Sequence, residues 1–69
     1  IQRALGKAIR AHREALDISQ DAFAASIGMH RAYYWSIEAG RKNLSLRLLC
    51  RVAGGLKVPI WQLFRDADI

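Results

Sequence analysis

The sequence repeats apolar residues at helical spacing along most of its length, but it interrupts that pattern at short intervals. The first stripe predicts a helix from about residue 3 to 16 and consists of Leu5, Ile9, His12 and Leu16. Sustained alternation with a period of two, which a half-buried strand would need, is missing, and no segment is long enough for a coiled coil. The sequence therefore predicts an all-α fold, a compact bundle of short helices.

Capping residues and glycines place the second and third helices. Ser19 has the short hydroxyl that caps a helix, Asp21 suits the positive first turn, and Gly28 ends this helix after barely two turns. A third helix is predicted from about residue 30 to 38, with Gly40 as its stop signal.

Two further cap signals predict the last two helices, which makes five. Ser45 caps a fourth helix with an apolar face, and Pro59 opens a last helix of a turn or two. Gly54 and Gly55 are each expected to weaken the fourth helix by about 1 kcal/mol relative to Ala. Cys50 lies at the edge of the apolar face, where we expect it to be packed.

Length and charge limit the function. A chain of 69 residues supports one small domain, here residues 1–69, and excludes a two-domain enzyme. Hydrophobic residues make up 52% of the chain and charged residues 25%, which is typical of a folded module. Eleven Lys and Arg against six Asp and Glu give a net charge of +5, which indicates a polyanionic partner without saying which one.

The composition also bears on location. A single cysteine cannot form an intrachain disulfide and favours a reducing, cytoplasmic setting. No apolar run approaches the roughly 18 residues that span a bilayer, so we expect no membrane partner. The start lacks both an initiator Met and an apolar signal segment, so we expect a partial chain.

The second and third helices match the helix-turn-helix arrangement, over about residues 19–38. In that arrangement the second helix of the motif, here about residues 30–38, lies in the DNA major groove. A helical wheel places Tyr34 and Ile37 on its buried side. The residues that then face outward or flank the outward face are Arg31, Ala32, Tyr33, Trp35 and Ser36. The guanidinium of Arg31 can bind guanine O6 and N7 together, the commonest specific contact in the major groove.

These residues resemble the Cro/repressor-type (XRE) helix-turn-helix regulators, a lambda-repressor-like domain, over nearly the whole chain from Leu5 to Phe64. The family signature matches in order and spacing at Ile18-Ser19-Gln20, Phe23-Ala24, Gly28 and Ser36-Ile37-Glu38-Ala39-Gly40. Within the family, His30-Arg31-Ala32-Tyr33 and Arg41-Lys42-Asn43-Leu44-Ser45 look most like the controller proteins of restriction-modification systems.

The resemblance implies a set of DNA-binding residues and one structural ion pair. The positions that match family contacts with bases or phosphates are Gln20, His30, Arg31, Ala32, Tyr33, Trp35, Ser36, Arg41, Lys42 and Asn43. Gln20 would hold a phosphate and brace the recognition helix, and Arg13 with Glu38 would tie the first helix to it.

Four departures from the family pattern change these expectations. Ala39 stands where a charged or amide side chain is common, so we expect one phosphate contact fewer. Trp35 stands where a small residue is usual, and it either packs on a thymine methyl or sugar edge or folds back over the core. His30 replaces Ser or Thr at the start of the recognition helix. Lys57 replaces a frequent Gly and suggests a less strained helix end.

The predicted function is that of a transcriptional regulator, for example a repressor, that binds specific double-stranded DNA. A small core and one short recognition helix predict a homodimer on a palindromic operator, with Ile60, Trp61 and Phe64 in the dimer contact. The alternative is an antitoxin or another protein-interaction module with a toxin or effector-domain partner. RNA binding is less favoured, because the aromatic platform of common RNA-binding modules is missing.

Catalysis finds no support in the sequence. His12, His30 and Cys50 lack metal-ligand spacing, and there is no Gly-rich phosphate loop and no acidic pair beside a nucleophile. We therefore expect no enzyme activity, no metal and no cofactor. His12 is expected to be a half-buried, hydrogen-bonded residue on the first helix.

Overall fold

The computed structural model describes residues 1–68, and this part of the chain contains five helices. They are α1 (Gln2–Ala15), α2 (Gln20–Ser26), α3 (Arg31–Glu38), α4 (Leu46–Leu56) and α5 (Ile60–Asp66). No strand occurs within these 68 residues, so the all-α prediction is confirmed. Ile69, the last residue of the predicted domain, lies outside the described residues.

The helices begin and end at the residues that local chemistry selects. The hydroxyl of Ser19 accepts a hydrogen bond from the Ala22 N–H at the start of α2, and that of Ser45 accepts one from the Leu48 N–H at the start of α4, both at 3.1 Å. Beyond the ends of α2 and α3, Gly28 and Gly40 have φ of +66° and +76°, in the left-handed region that favours glycine.

The core lies where α1 packs against α3 and α5, α2 against α3, and α4 against α5. Phe23 of α2 and Tyr34 of α3 form its centre, with ring centroids 5.2 Å apart and planes tilted by 54°. Ile9, Ile37 and Leu63 are fully buried around this pair. The buried side of α3 therefore packs against α1 and α2.

Two glycines allow helices to approach closely. A Cβ on Gly6 would lie 2.6 Å from the carbonyl oxygens of Ile37 and Glu38, so only glycine lets α1 reach the end of α3. A Cβ on Gly55 would lie 2.5 Å from Cγ2 of Ile27 and 3.0 Å from the ring of Phe23. Gly55 thus has a packing role against the end of α2 that the helical pattern of the sequence did not predict.

Two expectations about α4 need correction. Cys50 is exposed rather than packed, because the buried face of α4 starts at Leu49 and the next residue turns toward solvent. Lys57 has φ of +62°, a left-handed conformation that costs a non-glycine residue roughly 1 kcal/mol. The end of α4 is thus strained by Lys57, contrary to the expectation from the sequence.

Candidate nucleic-acid interface

The turn between α2 and α3 presents one side of α3 to solvent. The N–H of Met29 donates to the carbonyl of Ala24 at 2.9 Å, and the Met29 side chain is buried, which fixes the chain as it leaves α2. On α3, Tyr34, Ile37 and Glu38 are buried. The outward residues are Arg31, Ala32 and Trp35, which are exposed, and Tyr33 and Ser36, which are half-buried.

The buried side of α3 carries a hydrogen-bond network around the Glu38 carboxylate. Arg13 binds it with two nitrogens, Nε to Oε2 at 2.7 Å and Nη2 to Oε1 at 3.2 Å, while its Nη1 donates to the carbonyl of Ile18 at 2.7 Å. Gln20 Nε2 donates to Oε1 at 2.9 Å, and the Tyr34 hydroxyl donates to Oε2. One carboxylate therefore joins α1, α2 and α3.

This network keeps Glu38 ionised inside the protein. Burial acts to raise the pKa of Glu38, but the hydrogen bonds from Arg13, Tyr34 and Gln20 together outweigh it, so the pKa lies below its ordinary value. The hydrogen bond to Glu38 raises the pKa of Arg13, and burial raises that of Tyr34. The carboxylate is thus paired and turned away from the outward surface of α3.

The structure brings the predicted pair Arg13 and Glu38 together and gives Gln20 a bracing contact. The Gln20 amide nitrogen is hydrogen-bonded to Glu38, and the residue is half-buried at the start of α2. Its contact is therefore with α3, which is one of the two roles that the family resemblance implied. A phosphate contact by this side chain remains a prediction.

The outward side of α3 holds a second, exposed cluster that the sequence did not reveal. The Nε1–H of Trp35 donates to Asp21 Oδ1 at 3.0 Å, and Arg31 Nη1 lies 3.6 Å from Asp21 Oδ2. The guanidinium carbon of Arg31 also lies 5.7 Å from the centroid of the Trp35 ring. Trp35 therefore does not fold back over the core: it is 45% exposed and is tied to α2 through Asp21.

Basic residues follow directly after α3. Arg41, Lys42 and Asn43 are all exposed in the loop before α4. The Lys42 ammonium lies 5.4 Å from the centroid of the Tyr33 ring, and Gln2 at the start of α1 donates a hydrogen bond to the side-chain oxygen of Asn43. Two positive charges thus flank the C-terminal end of α3.

His30 stands at the N-terminal end of α3, as its N-cap. Its Nδ1 accepts a hydrogen bond from the N–H of Ala32 at 3.3 Å, and the residue is exposed. Because Nδ1 accepts, a neutral ring carries its proton on Nε2, which is then a donor for an acceptor outside the protein. The sequence placed this histidine at the helix start but did not identify its capping role.

The predicted dimer residues differ in accessibility. Ile60 and Phe64 are half-buried and pack against the core, so the domain itself already uses much of their apolar surface. Trp61 is 61% exposed, with the Arg65 guanidinium 5.1 Å from its ring centroid. The apolar surplus on α5 that the sequence suggested is therefore carried mainly by Trp61.

The expectation for His12 is confirmed. The side chain is half-buried, and its Nε2 lies 2.6 Å from Asp66 Oδ2, which joins α1 to the end of α5. The hydrogen bond from His12 lowers the pKa of Asp66.

One side of α3 is buried and held by the Glu38 network, and the other side is exposed. A tight turn precedes this helix and a basic loop follows it, which is the arrangement of a helix-turn-helix DNA-binding domain. Comparison with known families agrees: the chain matches the model described as "Helix-turn-helix" over residues 9–60. The chain belongs to this helix-turn-helix family.

The relatives include control proteins. The chain is 43% identical to control protein C.MunI of Mycoplasma sp over 56 residues, which cover 81% of the chain and 76% of that protein. It is 30% identical to control protein C.SmaI of Serratia marcescens over 63 residues, covering 91% and 75%. The resemblance to the Cro/repressor-type regulators, and within them to restriction-modification controllers, is confirmed.

Solved structures give the same result. The clp gene regulator ClgR from C. glutamicum superposes with a TM-score of 0.91 at 27% identity, over 97% of this chain and 87% of that one. The restriction-modification controller protein C.AhdI from Aeromonas hydrophila superposes with a TM-score of 0.87 at 30% identity, over 91% and 96%. The protein is therefore a helix-turn-helix DNA-binding regulator of the control-protein type.

The relatives named here are control proteins and a gene regulator, and none of their names describes an enzyme. Within residues 1–68, no helix is long and apolar enough to cross a membrane.

Proposed function

We propose that this protein is a sequence-specific transcriptional regulator that binds double-stranded DNA as a homodimer, with α3 in the major groove of each half-site. The observation that carries the proposal is the division of α3 into a buried side anchored by Glu38 and an exposed side with Arg31, Ala32 and Trp35. Arg31 supplies a guanidinium for a guanine, and the small Ala32 lets the helix backbone approach the base edges.

The residues around α3 are suited to hold phosphates. Lys42 and Arg41 follow its C-terminal end, while His30 offers an Nε2 donor at its start. These contacts fix the position of a domain on DNA without reading sequence. Gln20 has its amide nitrogen on Glu38, so in this proposal it contributes mainly by holding α2 against α3.

The dimer part of the proposal rests on size and on α5. One helix of eight residues reads few base pairs, and two half-sites about one helical turn apart would supply the missing specificity. Trp61 is the large exposed side chain of α5, and Ile60 and Phe64 beside it keep part of their surface accessible. We assign these three residues to the dimer contact. We also propose that the protein acts in the cytoplasm.

Selection of bound duplexes from a random pool tests this function. We expect enriched sequences with two symmetric half-sites whose centres are about 10 base pairs apart, and a dimer by light scattering. With roughly eight phosphate contacts per dimer, log affinity should fall against log salt concentration with a slope of about −7.

The outcomes separate the proposal from its alternative. An antitoxin or another protein-interaction module with a toxin or effector-domain partner would enrich no sequence. Substitutions on the outward side of α3 would then leave binding to that partner unchanged. An unenriched pool, or an affinity that does not respond to salt, would contradict DNA recognition. If the protein stayed monomeric at high concentration and enriched only a single half-site, the proposed dimer would be wrong, while DNA recognition would stand.

A further inference from the structure

Asp21 is an acidic side chain in an unexpected place. It is exposed on α2 beside Arg31 and Trp35, on the side of the domain where a phosphate backbone would lie under the proposed function. A carboxylate there repels DNA, in a protein whose net charge is +5. A favourable interaction with the first turn of α2 explains an acid at this position, but it does not explain why both carboxylate oxygens contact α3.

The contacts form a closed triangle. Oδ1 of Asp21 accepts from the Trp35 indole at 3.0 Å, Oδ2 lies 3.6 Å from Arg31, and the Arg31 guanidinium lies over the Trp35 ring. Each side chain is therefore restrained by the other two. A long arginine side chain loses much rotamer freedom when it binds, and restraint before binding reduces that loss.

We propose that Asp21 is a specificity-determining positioning residue, whose two carboxylate oxygens hold Trp35 and Arg31 in fixed positions on the outward side of α3. The inference rests on the proposed function and extends it to a residue of α2. Asp21 itself reads no base: it determines where the guanidinium and the indole stand when they meet the base edges.

The same carboxylate weakens binding to the wrong sequence. In the free protein Asp21 Oδ2 lies 3.6 Å from Arg31 Nη1, so an arbitrary phosphate must compete with Asp21 for the guanidinium. A correctly placed guanine offers the guanidinium two acceptors, O6 and N7. A phosphate of unselected DNA does not present two acceptors in the same geometry. Discrimination then arises partly from repulsion of unselected DNA.

The test compares the dissociation constants for unselected and selected duplexes, where the selected duplex is the sequence that the unmodified protein enriches from a random pool. We expect Asp21→Ala to reduce the ratio of these two constants roughly tenfold, through tighter binding of unselected DNA and looser binding of the selected duplex. Glu14→Ala is the matched control, because Glu14 is an exposed acid on α1 that bonds to Arg10. It makes the same change in net charge and should strengthen binding to both duplexes alike.

Two more variants separate positioning from a simple charge effect. Asp21→Asn keeps an acceptor for the Trp35 N–H but removes the charge beside Arg31, so its ratio should fall between those of the unmodified protein and Asp21→Ala. Trp35→Phe removes the N–H donor. Asp21→Ala should therefore change the ratio less in the Trp35→Phe protein than in the unmodified one.

The results that overturn the inference are distinct from those that overturn the function. A protein that discriminates between duplexes while Asp21→Ala leaves the ratio within twofold of its original value would overturn the inference alone. Equal effects of Asp21→Ala with and without the Trp35 N–H would do the same. No discrimination by the unmodified protein would overturn the proposed function and the inference together.

Discussion

Each side of α3 takes part in a cluster of a carboxylate, an arginine and an aromatic ring, and the two clusters have very different surroundings. On the buried side, Glu38 pairs with Arg13 and Tyr34, and the side chains of the ion pair are only 8% and 3% exposed. On the outward side, Asp21 pairs with Arg31 and Trp35, and the two charged side chains are 66% and 53% exposed.

The difference in burial gives the two clusters different roles: the buried one stabilises the fold, and the exposed one is available for DNA recognition. If one partner of the buried ion pair were removed, the remaining charge would lie in a medium that solvates it poorly. The intact cluster therefore stabilises the packing of the three helices that contribute to it. Water and salt screen the exposed cluster, so its contribution to stability is small, and its arginine and tryptophan remain accessible to DNA. Substitutions on the buried side of α3 should therefore strongly destabilise the domain, while substitutions on the outward side should mainly alter DNA recognition.

The largest expected effect comes from Glu38→Ala. Removal of this carboxylate leaves Arg13 buried without its partner, and we expect the free energy of unfolding to fall by about 3 to 5 kcal/mol. Asp21→Ala on the outward side should lower it by about 1 kcal/mol or less. Chemical denaturation of both variants measures the contrast, and losses of similar size would show that the two clusters do not differ as described.

Acid should affect the buried cluster selectively. The folded-state pKa of Glu38 lies below that of the unfolded chain, so its stabilisation is complete above the unfolded value of about 4.3 and is lost as the pH falls through the lower folded value. Glu38→Gln should therefore reduce the decrease in stability between about pH 5 and pH 3. Part of that decrease should remain, because the pKa of Asp66 is lowered in the same direction. An unchanged pH profile in Glu38→Gln would contradict the assignment.

A smaller effect distinguishes two neighbouring glycines behind the motif. Gly55→Ala should cost about 1 to 3 kcal/mol, because the new methyl group meets Ile27 and Phe23 of the α2 end. Gly54→Ala faces open space and should stabilise α4 by up to about 1 kcal/mol. Thermal unfolding of the two variants gives the signs, and a gain in stability for both would mean that α4 does not press against α2.

Local signals in the sequence predicted the five helices well. Ser19 and Ser45 are the caps that the sequence indicated, and Gly28 and Gly40 take the left-handed conformations that follow α2 and α3. The family resemblance supplied Arg13 and Glu38, which lie 25 residues apart and share no local pattern.

The remaining features depend on how the helices pack, which periodicity does not encode. Gly6 and Gly55 look like weak helical residues until the neighbouring helix is placed beside them. Asp21 looks like an ordinary residue of a first helical turn until α3 brings Trp35 and Arg31 to its two oxygens. The side chain of Cys50 faces solvent because a shift of one residue from Leu49 moves it about 100° around α4.

The most direct test of the division between the two sides is Arg31→Ala, compared with Lys42→Ala. We expect Arg31→Ala to keep the free energy of unfolding within about 0.5 kcal/mol and to lose about 1 to 3 kcal/mol of discrimination at one base position of the selected duplex. Lys42→Ala should weaken binding to selected and unselected duplexes alike. Equal losses on both duplexes for Arg31→Ala, or unfolding of that variant, would contradict the account.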